Sequence, residues 1–309
     1  MTNRRAAPSR GALAIAALAI LLGLSVGLLR WIENSPVRAP RPATRRSARA
    51  RPGRPLPQRN AQPDSPSDDR AGGDPDWVPA DGTARVAIVI DDVGFDPAPA
   101  LELASLSIPL TFAVLPGQAF SRDLASRLAA GGHEVILHMP MEPVAYPARD
   151  PGDGAVSEAM TPEQAAEAVS SALRELPEAR GLNNHMGSRI TSDPVVMRAV
   201  LGVVRARGLY FLDSRTTPDT VAYDLARAMG IPALKRSVFL DDRREGSYIE
   251  GQVKSLLRKA REEGSAVAIG HANRTTAEAL RRAVSLFREE EVRVVPASEL
   301  AARGSGESG

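Results

Sequence analysis

From Arg85 onward, apolar runs of strand length alternate strictly with amphipathic segments of helix length. Strict alternation makes consecutive strands parallel, because each helix carries the chain back across the sheet and covers its outer face. Strands are expected at residues 86–90, 111–115, 134–138, 181–184, 210–213, 237–240, 266–269 and 292–295. Helices are expected between them, at 97–105, 121–130, 162–176, 194–207, 220–229, 251–263 and 276–290. Cap signals open three of these helices: Asp96-Pro97, Thr161-Pro162 followed by Glu163 and Gln164, and Asp193-Pro194. Glycines close several, at Gly131, Gly208, Gly230 and Gly264. Seven or eight such units over roughly 215 residues suit a (β/α) barrel better than an open sheet. In either architecture, functional side chains gather at the C-terminal ends of the strands.

The 309-residue chain carries its charge unevenly. Residues 1–70 hold 13 Arg against 4 acidic residues, whereas residues 71–309 hold 26 basic and 33 acidic ones. The globular part is therefore acidic, and nucleic acid is not an expected partner. Residues 11–29 form a run of nineteen residues without a charge, preceded by Arg4, Arg5 and Arg10. As a helix this run is roughly 28 Å long, about one hydrocarbon core. Arg30, Trp31 and Glu33 follow with no small-x-small cleavage site, so an uncleaved single-pass anchor is expected rather than a removed signal peptide. Its basic N-terminal flank is expected to keep the N-terminus cytoplasmic, with the remainder exported. Residues 34–83 carry ten Pro among Arg, Ser and Ala and read as a disordered spacer. The expected organisation is an anchor at 1–33, this linker at 34–83, a (β/α) domain at 84–302 and a disordered tail at 303–309. No Cys is present, which excludes disulfides, thiol nucleophiles and cysteine-ligated metals. A metal must sit on His, Asp and Glu, and four His allow one such site at most.

The ends of the expected strands carry the chemistry. The first ends in Asp91-Asp92, the third in His138 followed by Glu142, the fourth in Asn183-Asn184-His185, the fifth in Asp213, the sixth in Asp241-Asp242, and the seventh in His271. Three of the four His thus converge with most of the strand-terminal acids on one face. Adjacent carboxylates after a buried strand are costly without compensation, and a divalent cation compensates them. One Asp with two neutral imidazoles forms an open three-ligand site suited to zinc and related transition metals. Neighbouring strand residues point opposite ways, so one of Asp91 and Asp92 can bind metal while the other stays free as a base. His271, on a separate strand, is placed to protonate a leaving group. Blander roles compete at each position: a cap with an ion pair for the Asp pair, a polar loop network for His185, a helix cap for His271. His133, which begins a strand, is expected to be structural.

Seven segments in order, IVIDDVGF, TFAVLPG, GHEVILHMPMEP, GLNNHMGSRIT, YFLDSRT, KRSVFLDD and AIGHANRTT, resemble the divergent polysaccharide deacetylase family, which is related to the NodB-type carbohydrate esterases. The resemblance spans residues 84–300. It implies a distorted (β/α) barrel with a divalent metal, zinc above others. It implies that Asp91 is the base, Asp92 a metal ligand and His271, in the late Leu-x-His position, the catalytic acid. The family's metal-binding His-x-x-x-His falls on His138 and Glu142, so the second His is replaced. Glu142 or His185 then supplies the third ligand, and His185 is favoured because it ends the adjacent strand. The family's Arg-x-Pro-Tyr motif has no clear counterpart; the Asn183–Ser188 run occupies its place, with Arg189 as a substitute. Asn184, Arg189, Asp213 and Asp241 complete the candidates for ligand or substrate contact.

Two functions follow from the resemblance. One is a membrane-anchored periplasmic metal-dependent hydrolase that removes N- or O-acetyl groups from an envelope glycan or a peptidoglycan-derived fragment. The alternative is a non-catalytic envelope protein that keeps the fold and binds glycan or a cell-wall partner.

Overall fold

The computed structural model describes residues 83–303. The expected anchor, most of the linker and the end of the tail lie outside the described residues. Among the described residues, no helix is long and apolar enough to cross a membrane.

The strands are β1 (Arg85–Val93), β2 (Thr111–Val114), β3 (Glu134–Met141), β4 (Gly181–Met186), β5 (Tyr210–Asp213), β6 (Ala233–Lys235), β7 (Val238–Phe239), β8 (Ser265–His271) and β9 (Arg293–Val294). The helices are α1 (Pro97–Ala104), α2 (Ser121–Ala130), α3 (Pro162–Glu175), α4 (Pro194–Ala206), α5 (Ala222–Ala228), α6 (Gly246–Glu263), α7 (Arg274–Glu289) and α8 (Ala297–Arg303). Every named strand pair is parallel, in the order β6-β5-β4-β3-β2-β1-β8-β7, with β9 beside the start of β1.

The barrel expectation needs one correction. The two edge strands of this path, β6 and β7, are not paired by hydrogen bonds among the described residues. They are consecutive in the chain, joined by Arg236 and Ser237 alone. Arg236 N–H donates to Asp213 O at 3.0 Å and Ser237 N–H to Val267 O at 2.8 Å, so this short segment bridges β5 to β8. The parallel sheet is thus a half-barrel whose two edge strands meet through the chain rather than through hydrogen bonds. β6 escaped the sequence reading because it is three residues long and follows Pro232 directly.

Strand alternation sorts the core into two layers. Val86, Ile88 and Ile90 of β1 face outward into the cluster shared with the helices. Ala87 and Val89 face inward with Ala113, Ile136, Tyr210, Leu212, Val267 and Ile269. Val295, Ala297, Leu300 and Ala301 join that inner cluster, so α8 contributes to the same apolar floor. α8 was not expected. Helix α6 starts earlier than the expected 251 because its buried stripe already begins at Ile249 and continues through Val253, Leu256, Leu257 and Ala260. The cap signals hold: Asp96, Thr161 and Asp193 each accept a backbone hydrogen bond from the first turn, and Thr161 with Gln164 forms a reciprocal capping box.

Gly181 belongs to the inner layer for a steric reason. A Cβ there would lie 2.6 Å from two atoms of the Tyr210 ring. Gly181→Ala is therefore expected to overpack the floor and lower stability by about 1–3 kcal/mol. Thermal unfolding of the variant against wild type measures this.

Candidate metal centre and active site

The site is the next tier of the inner layer. The inward parity of Ala87 and Val89 continues to Asp91, that of Val267 and Ile269 to His271, and that of Ile136 to His138. The parallel register sets Asp91 beside His271 and His138 beside Asn183. Asp92 has the wrong parity, yet its carboxylate also reaches the site. The β1–β2 register shifts between Ile90 and Val93, and Asp92 adopts φ +59°, which turns the chain at that residue. Such a conformation is costly for a non-glycine residue and concentrates at functional sites.

Asp92, His138 and His185 each offer one atom, and these atoms lie within 4.8 Å of one another. Oδ1 of Asp92 is 3.3 Å from His138 Nε2 and 3.0 Å from His185 Nδ1. The two imidazole nitrogens are 3.1 Å apart. Oδ1 of Asp92 is buried yet receives no well-directed hydrogen bond from a described residue. Three ligand-type atoms this close together, one of them a buried carboxylate oxygen without a hydrogen-bond partner, fit a divalent cation.

Without that cation, protons carry the compensating charge. Burial disfavours ionisation of Asp92, but His138 and His185 hold its carboxyl far below the usual carboxylate range. Burial likewise opposes protonation of His138, and Asp91 and Asp92 override it and push the imidazole up. Asp91, fully buried against the barrel interior, is raised by that burial, with His138 and His271 opposing.

His271 stands across the site, with Nε2 3.8 Å from Asp92 Oδ2. Its Nδ1 hydrogen-bonds Asp241 Oδ1 at 2.9 Å. Oδ2 of Asp241 accepts from His271 N–H, Asn273 Nδ2 and Thr276 Oγ1, which fixes the carboxylate. Burial alone would lower the His271 pKa, yet Asp241 lifts it from 6.5 to about 9. Asp241 itself is lowered, against its own burial, by the same bond. A histidine raised on folding contributes stability that is complete below its unfolded pKa and is lost as pH rises through about 9. In the metal-free protein, Asp241→Asn is expected to move the His271 titration down toward its ordinary value, as followed by NMR, and to remove that pH-dependent stability.

The remaining sequence candidates are engaged elsewhere. Glu142, the alternative ligand, pairs with Arg189 Nε at 3.0 Å and accepts from Glu158 N–H at 3.1 Å. It lies outside the three-residue group because β3 runs on past His138 to Met141 and carries Glu142 beyond the cluster. Arg189, the expected substitute for the missing arginine motif, also binds Glu158 and the carbonyl of Val144, so it ties loops together. Asn184 has opposite parity to Asn183; its amide accepts from Ser214 N–H and donates to Met186 O. Asp213 accepts from Arg215 N–H, Thr220 Oγ1 and Tyr223 N–H and organises the turn into α5. Asp241 holds His271 rather than the three-residue centre.

Two residues were given no role from the sequence. Asn183, read only as part of a strand-end run, lies between Asp91 and His138, on the face that counting back two residues from His185 indicates. Arg236 is a partly buried cation that donates to Ser214 O and Arg215 O. Nothing in its local sequence marks it, because its placement depends on the seam between β6 and β7.

A cavity of about 660 Å³ lies away from this cluster, lined by His133, Glu134, Tyr210 and Ser298 among others. These residues stand at or near the N-terminal ends of β3 and β5 and in α8. Tyr210 Oη and Ser298 N–H both donate to Glu134 Oε1, and His133 contacts the carbonyl of Ala104. The Glu134 bonds belong to the floor, whereas His133 ties the start of β3 to α1 and packs its ring on Phe112 of the outer layer.

The sequence model described as divergent polysaccharide deacetylase matches residues 88–301. An uncharacterized protein of Haemophilus influenzae is 35% identical over 188 residues, covering 61% of this chain and 66% of that protein. The uncharacterized protein YibQ of Escherichia coli is 34% identical over 200 residues, covering 65% of this chain and 62% of that protein. The match thus spans just under two thirds of these relatives' own lengths. The crystal structure of an uncharacterized protein from Agrobacterium tumefaciens C58 is similar with a TM-score of 0.67 at 22% identity, covering 71% of this chain and 89% of that one. That likeness concerns the fold.

Proposed function

We propose that this chain, which belongs to the divergent polysaccharide deacetylase family, is a metal-dependent hydrolase that removes acyl groups from an envelope glycan. The observation that carries this reading is the cation seat of Asp92, His138 and His185 set between a buried carboxylate, Asp91, and a raised imidazole, His271. A divalent ion held there lowers the pKa of bound water to about 7 and polarises a carbonyl.

The chain's own residues move the protons. Asp91 has one oxygen held by Asn183 and the other, Oδ2, turned toward the site 3.6 Å from His138 Nε2. Oδ2 takes a proton from water as its oxygen bonds to the acyl carbon. His271 then gives its Nε2 proton to the departing amine or alcohol as the C–N or C–O bond breaks. Asp241, on Nδ1, keeps the ring turned and charged for that donation. The products are acetate and the deacetylated sugar.

A glycan substrate is supported by the rim. The exposed large apolar side chains among the described residues are Phe95, Phe120, Val144, Tyr146 and Val195. All lie on segments that follow β1, β2, β3 or β4, and three of these strands carry the metal-seat residues. Aromatic faces of this kind suit the apolar faces of sugar rings. The apolar run at residues 11–29 anchors the chain in the inner membrane, with the domain in the periplasm beside such polymers.

The second reading, a glycan-binding protein without catalysis, draws on Arg189, which is committed to Glu142 and Glu158 and leaves the family's arginine position without a counterpart. Incubating the zinc-loaded full chain with N-acetylated glycan oligomers and following their masses separates the two. Loss of acetyl groups supports the hydrolase. Oligomers retained by the protein with unchanged mass support the binder.

A further inference from the structure

We propose that Asn183 is a positioning residue that couples the two halves of the site, fixing the ring of His138 toward the metal seat and holding Asp91 with the same amide. The proposal rests on the hydrolase reading above and assigns a role to a residue that touches neither cation nor substrate.

Asn183 is fully buried. A buried amide is costly unless its groups are satisfied, and here each is. Its Oδ1 is 2.8 Å from His138 Nδ1, and its Nδ2 donates to Asp91 Oδ1 at 2.9 Å and to Ser214 Oγ at 3.3 Å. Only one orientation of the amide works. Exchanging its oxygen and nitrogen would set an oxygen against the Asp91 carboxylate and leave no donor for it.

That orientation has a consequence at each end. Because Oδ1 can only accept, Nδ1 of His138 must donate, which keeps the Nε2 lone pair free on the side of Asp92 and His185. This is the outer partner that a metal-binding imidazole requires, supplied here by an amide. Because Nδ2 donates to Oδ1 of Asp91, it leaves Oδ2 as the oxygen available for the proton. The parallel register accounts for the reach, since His138 and Asn183 are direct partners on β3 and β4. Arg236 steadies the far side by gripping the carbonyl of Ser214, whose hydroxyl takes the second Nδ2 proton.

The test measures zinc affinity of the full chain by competition with a chromogenic chelator, beside acetate release from acetylated glycan by the zinc-saturated protein. Asn183→Ala is expected to weaken zinc binding roughly 10–100-fold and to lower turnover even when saturated. Asn183→Asp keeps an acceptor for His138 Nδ1 but loses the donor to Asp91. It is expected to hold zinc close to wild type and still lose turnover. A folded Asn183→Ala with wild-type zinc affinity overturns the proposal. Nitrogen NMR of histidine-labelled, zinc-loaded wild type gives a reading that needs no variant. Zinc on Nε2 of His138 with Nδ1 protonated supports the proposal, and zinc on Nδ1 overturns it. A wild type that binds zinc but releases no acetate defeats the hydrolase reading alone, while the affinity ratio still decides the role of Asn183.

Discussion

Asp91→Asn is expected to reduce hydrolysis by roughly 10²–10⁴-fold, the usual contribution of a general base, while leaving zinc bound. The two effects separate because Asp91 lies outside the group of three that converges on the cation position. The same substitution is expected to raise the thermal stability of the metal-free protein at neutral pH. The sign follows from burial, which pushes the Asp91 pKa above its ordinary value. The folded state then binds this proton more tightly than the unfolded one, so stability falls as pH rises from the unfolded pKa through the folded pKa. An uncharged isostere removes that cost. A variant that is more stable, metal-loaded and inactive would mark Asp91 as a residue kept for chemistry at the expense of the fold. Full activity in Asp91→Asn would remove the base from the mechanism.

His271→Ala is expected to cost a similar roughly 10²–10⁴-fold, and the loss should depend on the leaving group. An amine departing from an amide must be protonated as the bond breaks. A phenolate departing from an activated aryl acetate needs no such help. Turnover of an N-acetylated sugar is therefore expected to collapse in His271→Ala, while aryl acetate hydrolysis falls far less. Equal losses on both substrates would mean that His271 shapes the site without donating the proton. In the metal-free protein Asp241 holds the imidazole up near 9, so the proton to be donated is present at neutral pH.

The residues at the centre of the site were legible because strand alternation is a local property. The run Val86–Ile90 announces a buried parallel strand, and its end places Asp91 and Asp92 on the functional face. The same holds for His138, His185 and His271. What local pattern could not supply was the turn at Asp92, where a positive φ brings two consecutive carboxylates to one place. The sequence preference for His185 over Glu142 agrees with the three-residue group, but the reason lies beyond local pattern, in how far β3 continues before the chain leaves the sheet. The β6–β7 seam and Arg236 were hidden for a related reason: strands of three and two residues carry almost no periodic signal. Asn183 and Asn184 show both sides of the matter. Parity alone separates the inward residue from the outward one, yet only the paired register shows that the inward one meets His138.

Asp92, His138 and His185 are expected to hold one catalytic divalent ion. Elemental analysis of the purified full chain after zinc loading and dialysis tests it directly, in wild type and in the His185→Ala and Glu142→Ala variants. About one zinc per chain is expected in wild type and in Glu142→Ala. In His185→Ala the expected loss of affinity is larger than the roughly 100-fold that removing an outer partner costs. Zinc retained by His185→Ala and lost from Glu142→Ala, or no zinc bound by the wild type, would contradict this assignment.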